Sequence, residues 1–404
     1  MEVQSREPAL LVRLRPTGPW RIGGETGQPD DVSAIFPSDR LFSAVTHAFA
    51  RLGELTAWLK ATANSAIPAV RFTSLFPFFG KQMYVPPPVT VWPPAQASAR
   101  MNWQAARLVP VSVIEDLLRG DGLREDRWEV DGLSGCLLPA GAQSPFRKRL
   151  RATAPVDRVT GASSEAFVNG CLEFNQGVGF WTAAIFADAG AQQRWEGPLR
   201  AAFALLADSG LGGERSRGWG QAEDPDFQRG AWPDLLLDAA IAPGDGPQGF
   251  WMLGSYVPAA TDSIDWQSGH YELRLRHGRV ESTAGWGAVK KTVNMVREGS
   301  VLVAATPPLG AAVDVAPDGF AHPVWRCGFA AAVSLPWKAA SYQLPQLPTR
   351  IEPMRPREEA PAPLADIYLM DPVIVEEADI VEEADIVEEA QIVEQPRYVD
   401  EETE

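Results

Sequence analysis

The segment LGGERSRGWG, Leu211 to Gly220, restricts the fold more than any other stretch of this chain. Gly212, Gly213, Gly218 and Gly220 supply left-handed backbone and close chain approach that other residues adopt only under strain, so the segment is a crowded loop. Regular structure leads into it. Pro198 suits a first-turn position, and Leu199, Phe203 and Leu206 follow at helical spacing until Gly210. Before that helix, Cys171–Phe174 and Phe180–Phe186 are strand candidates joined by Asn175-Gln176-Gly177-Val178-Gly179, a hairpin signal. Earlier still, Leu10–Leu14 has strand character. A helix follows from Pro37-Ser38-Asp39, with Ser38 as its cap, a free N-terminus, and Leu41, Ala44, Val45, Ala48, Phe49 and Leu52 on its buried face. A strand after the glycine loop completes the order βαββαβ, the ferredoxin-like split unit that RNA-recognition domains use.

Two other regions have a different grammar. From Phe76 to about Leu150 the chain is Pro-rich and broken, as in VPPPVTVWPP, and is expected to form an insertion over the first domain. Beyond Asp224 apolar and alternating segments recur at Phe250–Val257, Tyr271–Arg276, Ser300–Ala304 and Cys327–Leu335, which predicts a second, strand-dominated domain. The expected organisation is α+β: a first RRM-like domain over 1–224 with an insertion at about 76–150, a second over 225–342, then a Pro-rich linker and acidic tail over 343–404.

The tail repeats VEEADI from Val375 and again from Val381, then VEEAQI from Val387. A six-residue period turns each Ile-Val pair by about 240° around a helix, and Ile380-Val381 breaks strand alternation, so neither element gains an apolar face. Disorder is the expectation. From Asp366 onward fifteen carboxylates face Arg397 alone, so nearly all of the net charge of −16 resides there and the body is close to neutral. Such a body can present a basic groove whatever the chain's overall acidity.

The length of 404 residues with 45% hydrophobic and 22% charged composition suits a globular chain of two domains. No apolar stretch reaches the ~18–20 residues of a membrane helix, and MEVQSREPALLVRLRP lacks the core of a signal peptide, which predicts a cytoplasmic protein without membrane contact. Cys136, Cys171 and Cys327 lie far apart with no CxxC pair, so they are expected as buried thiols.

The glycine loop can meet phosphate through free N–H groups and the guanidiniums of Arg215 and Arg217, and the Trp219 indole can stack on a base. It lacks the Gly-Lys-Ser/Thr ending of a nucleotide-hydrolysing loop and the GxGxxG spacing of a dinucleotide site. Flexible glycine-rich surface loops also exist, and Trp is more often core than platform.

LGGERSRGWG resembles the glycine-rich signature of the RAMP superfamily of CRISPR proteins. PSDRLFSAVTHAF, PVDRVTGASSEAF (155–167), YELRLRHGRVESTAGWGAVKKTVNMVREGSVL (271–302) and HPVWRCGFAAAVSLP (322–336) are similar, in the same order, to segments of the type III-A (Csm) interference subunit that holds the 5′ repeat-derived tag of the guide RNA. The resemblance spans Leu10 to Pro336 and skips the insertion and the tail. It implies a non-enzymatic, cofactor-free subunit of antiviral defence with two RRM-like domains, capping the foot of the complex. Its implied partners are the guide RNA, the large subunit with cyclase and HD nuclease domains, and the first backbone RAMP subunit.

The implied RNA contacts are Arg21 and Gly24 after the first strand; Ser38 and Arg40 at the helix start; Arg158; Gly212, Gly213, Arg215, Ser216, Arg217, Gly218, Trp219 and Gly220 in the loop; and Lys290, Lys291 and Asn294. Where the family often has a His-Gly pair, this chain has Arg21-Ile22-Gly23-Gly24. Arg40 is also readable as a surface arginine, and paired lysines usually mark a solvated face. Two other readings stand beside this one. Some RAMP proteins cleave repeat RNA without metal through histidine, but His47, His270, His277 and His322 have no nearby partner in sequence, and scattered carboxylates form no metal-ligand cluster. A protein-interaction scaffold without RNA contact is the third.

Overall fold

The computed structural model describes residues 6–24, 26–94, 101–154, 156, 159–160, 167–238, 248–282 and 284–336. The chain divides into two units, Met1–Ala340 and Ser341–Glu404. The Pro-rich linker and the acidic repeat belong to the second, which lies outside the described residues.

In chain order the first half comprises β1 (Glu7–Leu14), α1 (Ser38–Arg51), α2 (Leu55–Ala61), β2 (Val70–Phe72), β3 (Phe76–Phe79), β4 (Gln82–Val85), β5 (Val109–Pro110) and α3 (Val111–Arg119). It continues through β6 (Trp128–Val130), β7 (Leu137–Pro139), β8 (Phe146–Thr153), β9 (Phe167–Phe174), β10 (Val178–Phe186), α4 (Ala189–Ser209) and β11 (Asp226–Trp232). A seven-stranded sheet runs β11-β1-β10-β3-β4-β5, with β2 also on β10. β1 and β10 sit at its centre and bury both faces, so they read as nearly continuous apolar runs. Their side chains alternate between two cores. Leu10, Val12, Leu14, Phe180, Ala184 and Phe186 join α1 and α4 in one. Leu11, Trp181, Ala183 and Ile185 enter the other.

The second core is shared with the other half of the unit: β12 (Gln248–Met252), β13 (Ile264–His270), β14 (Leu273–Arg276), β15 (Arg279–Ser282), β16 (Gly285–Val289), β17 (Val293–Val296), β18 (Val301–Ala304), β19 (Gly310–Asp314), β20 (Trp325–Phe329) and β21 (Ala332–Pro336). Strands β13-β18-β12-β21 form a four-stranded sheet, and β14/β17, β15/β16 and β19/β20 are antiparallel two-stranded pairs. Trp251, Leu253, Val301, Val333 and Leu335 pack with Trp181, Val85 and Val109 of the first sheet. The Trp251 indole donates to the Pro86 carbonyl at 3.1 Å.

Several expectations are corrected. Phe76–Val85 opens no insertion; Phe76, Phe78 and Val85 are buried, and their strands extend the first sheet. The strands on either side of Asn175–Gly179 do not form a hairpin pair: β10 pairs with β1, β2 and β3, whereas β9 pairs with β8, where Arg147, Arg149 and Arg151 converge on Glu173. Pro198 lies inside α4, which begins after Asp188, a cap whose carboxylate accepts the Ala191 N–H at 2.7 Å. The restart expected after Asp224 comes later, since β11 completes the first sheet against β1. The described residues 248–336 contain no helix, so the second half does not show the helices of an RRM-like domain.

Candidate nucleic-acid interface

The glycine loop links α4 to β11 and is wedged against the segment after β1. The Gly213 N–H donates to the Arg21 carbonyl at 2.9 Å and the Gly220 N–H to the Pro19 carbonyl at 3.0 Å. At Gly212, with φ of +92°, a β-carbon would stand 2.2 Å from the Arg21 carbonyl oxygen. At Gly220, with φ of +82°, it would stand 2.1 Å from the Leu211 oxygen. Both positions therefore require glycine for contact as well as for conformation. Glu214 also adopts left-handed backbone, with φ of +63°. Its carboxylate accepts the Asn169 amide at 3.1 Å and pairs with Arg217 at 2.9 Å.

Two ring contacts join this loop to the β8/β9 ribbon. The Arg151 guanidinium lies over the Trp219 ring, 5.7 Å from its centre, and Arg217 lies over Phe167 at 5.4 Å. Arg217 also donates to the Thr153 hydroxyl at 3.2 Å. The ribbon is basic: Arg147, Lys148, Arg149 and Arg151 are exposed, and the Glu173 carboxylate stands 2.9–3.7 Å from the three arginines.

On its other side the loop meets the second half of the unit, where Arg215 faces Glu281 at 3.6 Å. Lys290 is near by. Loss of water lowers its ammonium pKa first, and Arg326 lowers it further, against Glu281 and Asp39. His47 of α1 belongs to the same field: loss of water holds it below the ordinary imidazole value, with Arg215 and Lys290 acting in the same sense and Glu281 against them.

Beneath this cluster the N-terminus of α1 is sealed rather than free. Ser38 and Asp39 are buried. The Ser38 N–H donates to Ser74 Oγ at 2.8 Å, and Ser38 Oγ accepts the Ser255 N–H at 2.9 Å. Both Ser74 and Ser255 hydroxyls donate to Glu298 Oε1, at 2.6 and 3.0 Å. Asp39 receives Arg276 through two nitrogens, at 2.9 and 3.1 Å, and Arg326 through a third. Burial alone would raise the Asp39 carboxyl pKa; Arg276, Arg326 and Arg40 outweigh it and hold the group below the usual carboxylate range. Two buried guanidiniums on one carboxylate leave net positive charge under the groove.

The expected contacts thus fall into three groups. Arg21, Gly212, Gly213, Arg215, Arg217, Trp219, Gly220 and Lys290 belong to the region around the loop, together with the exposed Ser216 and Gly218. Others have different partners. Ser38 is buried and does not cap α1 with its side chain. Arg40 donates to the Gly23 carbonyl at 2.8 Å, which ties it to the Arg21–Gly24 turn. The Gly24 N–H donates to the Asp31 carbonyl at 2.9 Å. Lys291 pairs with Asp318 at 2.7 Å, and Asn294 is exposed on β17 opposite Leu275. Arg158 lies outside the described residues. Sequence reasoning missed Asp39, Arg276, Arg326, Glu281 and the ribbon arginines; the alternation in FRKRLRAT and in LRLR was the available signal. Of the four histidines weighed from the sequence, His322 has a partner from a distant segment: its Nε2 lies 2.6 Å from Ser282 Oγ. Among the described residues no group of three His, Cys, Asp or Glu side chains is placed to hold a metal ion, and no helix is long and apolar enough to cross a membrane. The three cysteines are free and buried.

Solved structures share this architecture. A chain of the Csm3-Csm4 subcomplex of a type III-A CRISPR-Cas interference complex matches with a TM-score of 0.55 and 17% identity, over 81% of this chain and 99% of that one. A chain of a Csm1-Csm4 cassette in complex with cA4 matches with a TM-score of 0.50 and 17% identity, over 82% of this chain and 100% of that one. No curated protein sequence matches. The likeness to these two chains is one of fold. Residues 247–335 match the family described as the CRISPR Csm4 C-terminal domain.

Proposed function

We propose that the chain is the subunit of a type III-A CRISPR interference complex that binds the 5′ tag of the guide RNA and joins the large Csm1 subunit to the Csm3 backbone in antiviral defence. The observation that carries this reading is the placement of the Csm4 C-terminal domain against the glycine loop, where Arg215 meets Glu281 beside Lys290. Strand order β11-β1-β10-β3, with α1 and α4 on one face, supports reading the first half as a ferredoxin-like unit. Its role is structural: Arg215 and Arg217 hold phosphates, the N–H groups of Gly213, Arg217, Gly218, Trp219 and Gly220 being spent on protein carbonyls, and the complex takes its catalysis from other subunits. The body is cytoplasmic in this reading.

The double change Arg215→Ala plus Arg217→Ala tests it. Two phosphate contacts on single-stranded RNA contribute about 1.4 to the log–log salt slope, about 0.7 each. Titration of tag RNA against the reconstituted assembly at several salt concentrations should show weaker binding and a slope smaller by that amount. An unchanged affinity and slope in a folded variant would place the RNA path elsewhere.

A further inference from the structure

The two rings under guanidiniums lie where the glycine loop meets the basic ribbon. Trp219 and Phe167 are each half-buried, and the arginines over them, Arg151 and Arg217, have side chains 47% and 35% exposed. We propose that Trp219 and Phe167 are stacking platforms for two unpaired nucleobases of single-stranded RNA, with Arg151 and Arg217 covering the rings until RNA arrives and then turning onto its phosphates. The proposal rests on the tag-binding reading and adds to it a contact with bases.

Magnitudes favour the exchange. A base on an aromatic face is worth about 5- to 150-fold in affinity. An exposed guanidinium over a ring is worth about 2- to 5-fold, and the ion pairs of Arg151 with Glu173 and of Arg217 with Glu214, near the surface, about as much again at most. The released guanidiniums also keep a use, because the exposed Arg147 and Arg149 extend the same positive face along β8 and Glu173 balances one charge of the three arginines. An acidic protein segment would also be drawn to such a face, but it would derive no gain from two flat rings. A base gains from both.

The full chain is titrated with single-stranded oligoadenylate and with an abasic ribose-phosphate chain of the same length. The wild type should prefer the base-bearing RNA by about 5-fold or more for each platform. Phe167→Leu, which keeps apolar bulk, should lose that preference at one position while holding the abasic chain as before; Trp219→Leu should do the same. A fold defect would weaken both ligands together, so the abasic chain is the internal control. Equal binding of the two RNAs by the wild type, with a normal salt slope, overturns the stacking inference and leaves the tag-binding reading standing. Equal losses for both ligands in Phe167→Leu and Trp219→Leu also overturn it, since the rings would then serve packing. Failure of the wild type to bind either RNA, alone or in the assembly, overturns the tag-binding reading itself.

Discussion

Replacing Asp39 by asparagine keeps the shape of the side chain but removes the charge to which Arg276 and Arg326 both donate. The Asp39 side chain is 0% exposed, and those of Arg276 and Arg326 are 8% and 9%. Neither guanidinium can turn to water without opening the joint between α1 and the second half of the unit. Breaking a buried pair by removing one partner costs about 3–5 kcal/mol, because the uncompensated charge stays behind. Here two charges stay behind, next to a helix N-terminus that is itself positive, so the upper end of that range applies. With an unfolding entropy of about 2.1 cal/mol/K per residue, a cooperative unit of this size loses about 1–1.5 °C per kcal/mol, and Tm should fall by about 4–7 °C. Calorimetry of the full chain measures this. The double change Asp39→Asn plus Arg276→Met should recover part of the loss, because one stranded charge goes with it. A Tm for Asp39→Asn within 1 °C of wild type, or a double variant less stable than the two single losses predict, would refute the account of this joint.

At Gly212 an alanine meets a backbone oxygen that cannot swing aside, so Gly212→Ala should cost more than the about 1 kcal/mol expected from left-handed strain alone. Gly218→Ala, with φ of +76° and its nearest neighbour Gln221 Oε1 at 3.7 Å, should cost only that strain; equal Tm shifts for the two variants would contradict the packing argument. His47 has a lowered pKa in the free chain, and an RNA phosphate would raise it, so bound RNA favours the protonated ring. Tag affinity should therefore increase as pH falls through the interval between the free and bound values. His47→Gln should flatten that increase, and a wild-type affinity that does not rise with acidification wherever the chain stays folded would remove His47 from the site.

What could be read from the sequence is what one segment decides by itself. Leu10–Leu14 announced a strand, and Leu41, Val45, Ala48 and Phe49 announced the buried face of α1. The glycines of the loop followed from backbone demands that are local too. Pairing is not local. Nothing within Cys171–Phe186 indicates that β9 leaves for β8 while β10 stays in the sheet, because that choice depends on partners far along the chain. Asp39 was readable only as part of a helix start; its arginines come from 237 and 287 positions away. Pro198 signals a first turn in isolation, and Asp188 with the Trp195 and Leu199 packing overrides it. In the site, the loop's own cations were visible, whereas Glu281, Arg276 and Arg326 required the two halves to be folded together.

The core that joins the two sheets has a consequence for what counts as a domain. Residues 247–335 match a single family model, yet Trp251, Val301, Val333 and Leu335 find their packing partners on Trp181, Val85 and Val109. Excised, that module would present a wet apolar face and release the indole of Trp251 from Pro86. The boundary that evolution recognises in this chain and the boundary across which it melts are therefore different lines, and an expression fragment drawn along the first would cut through the second.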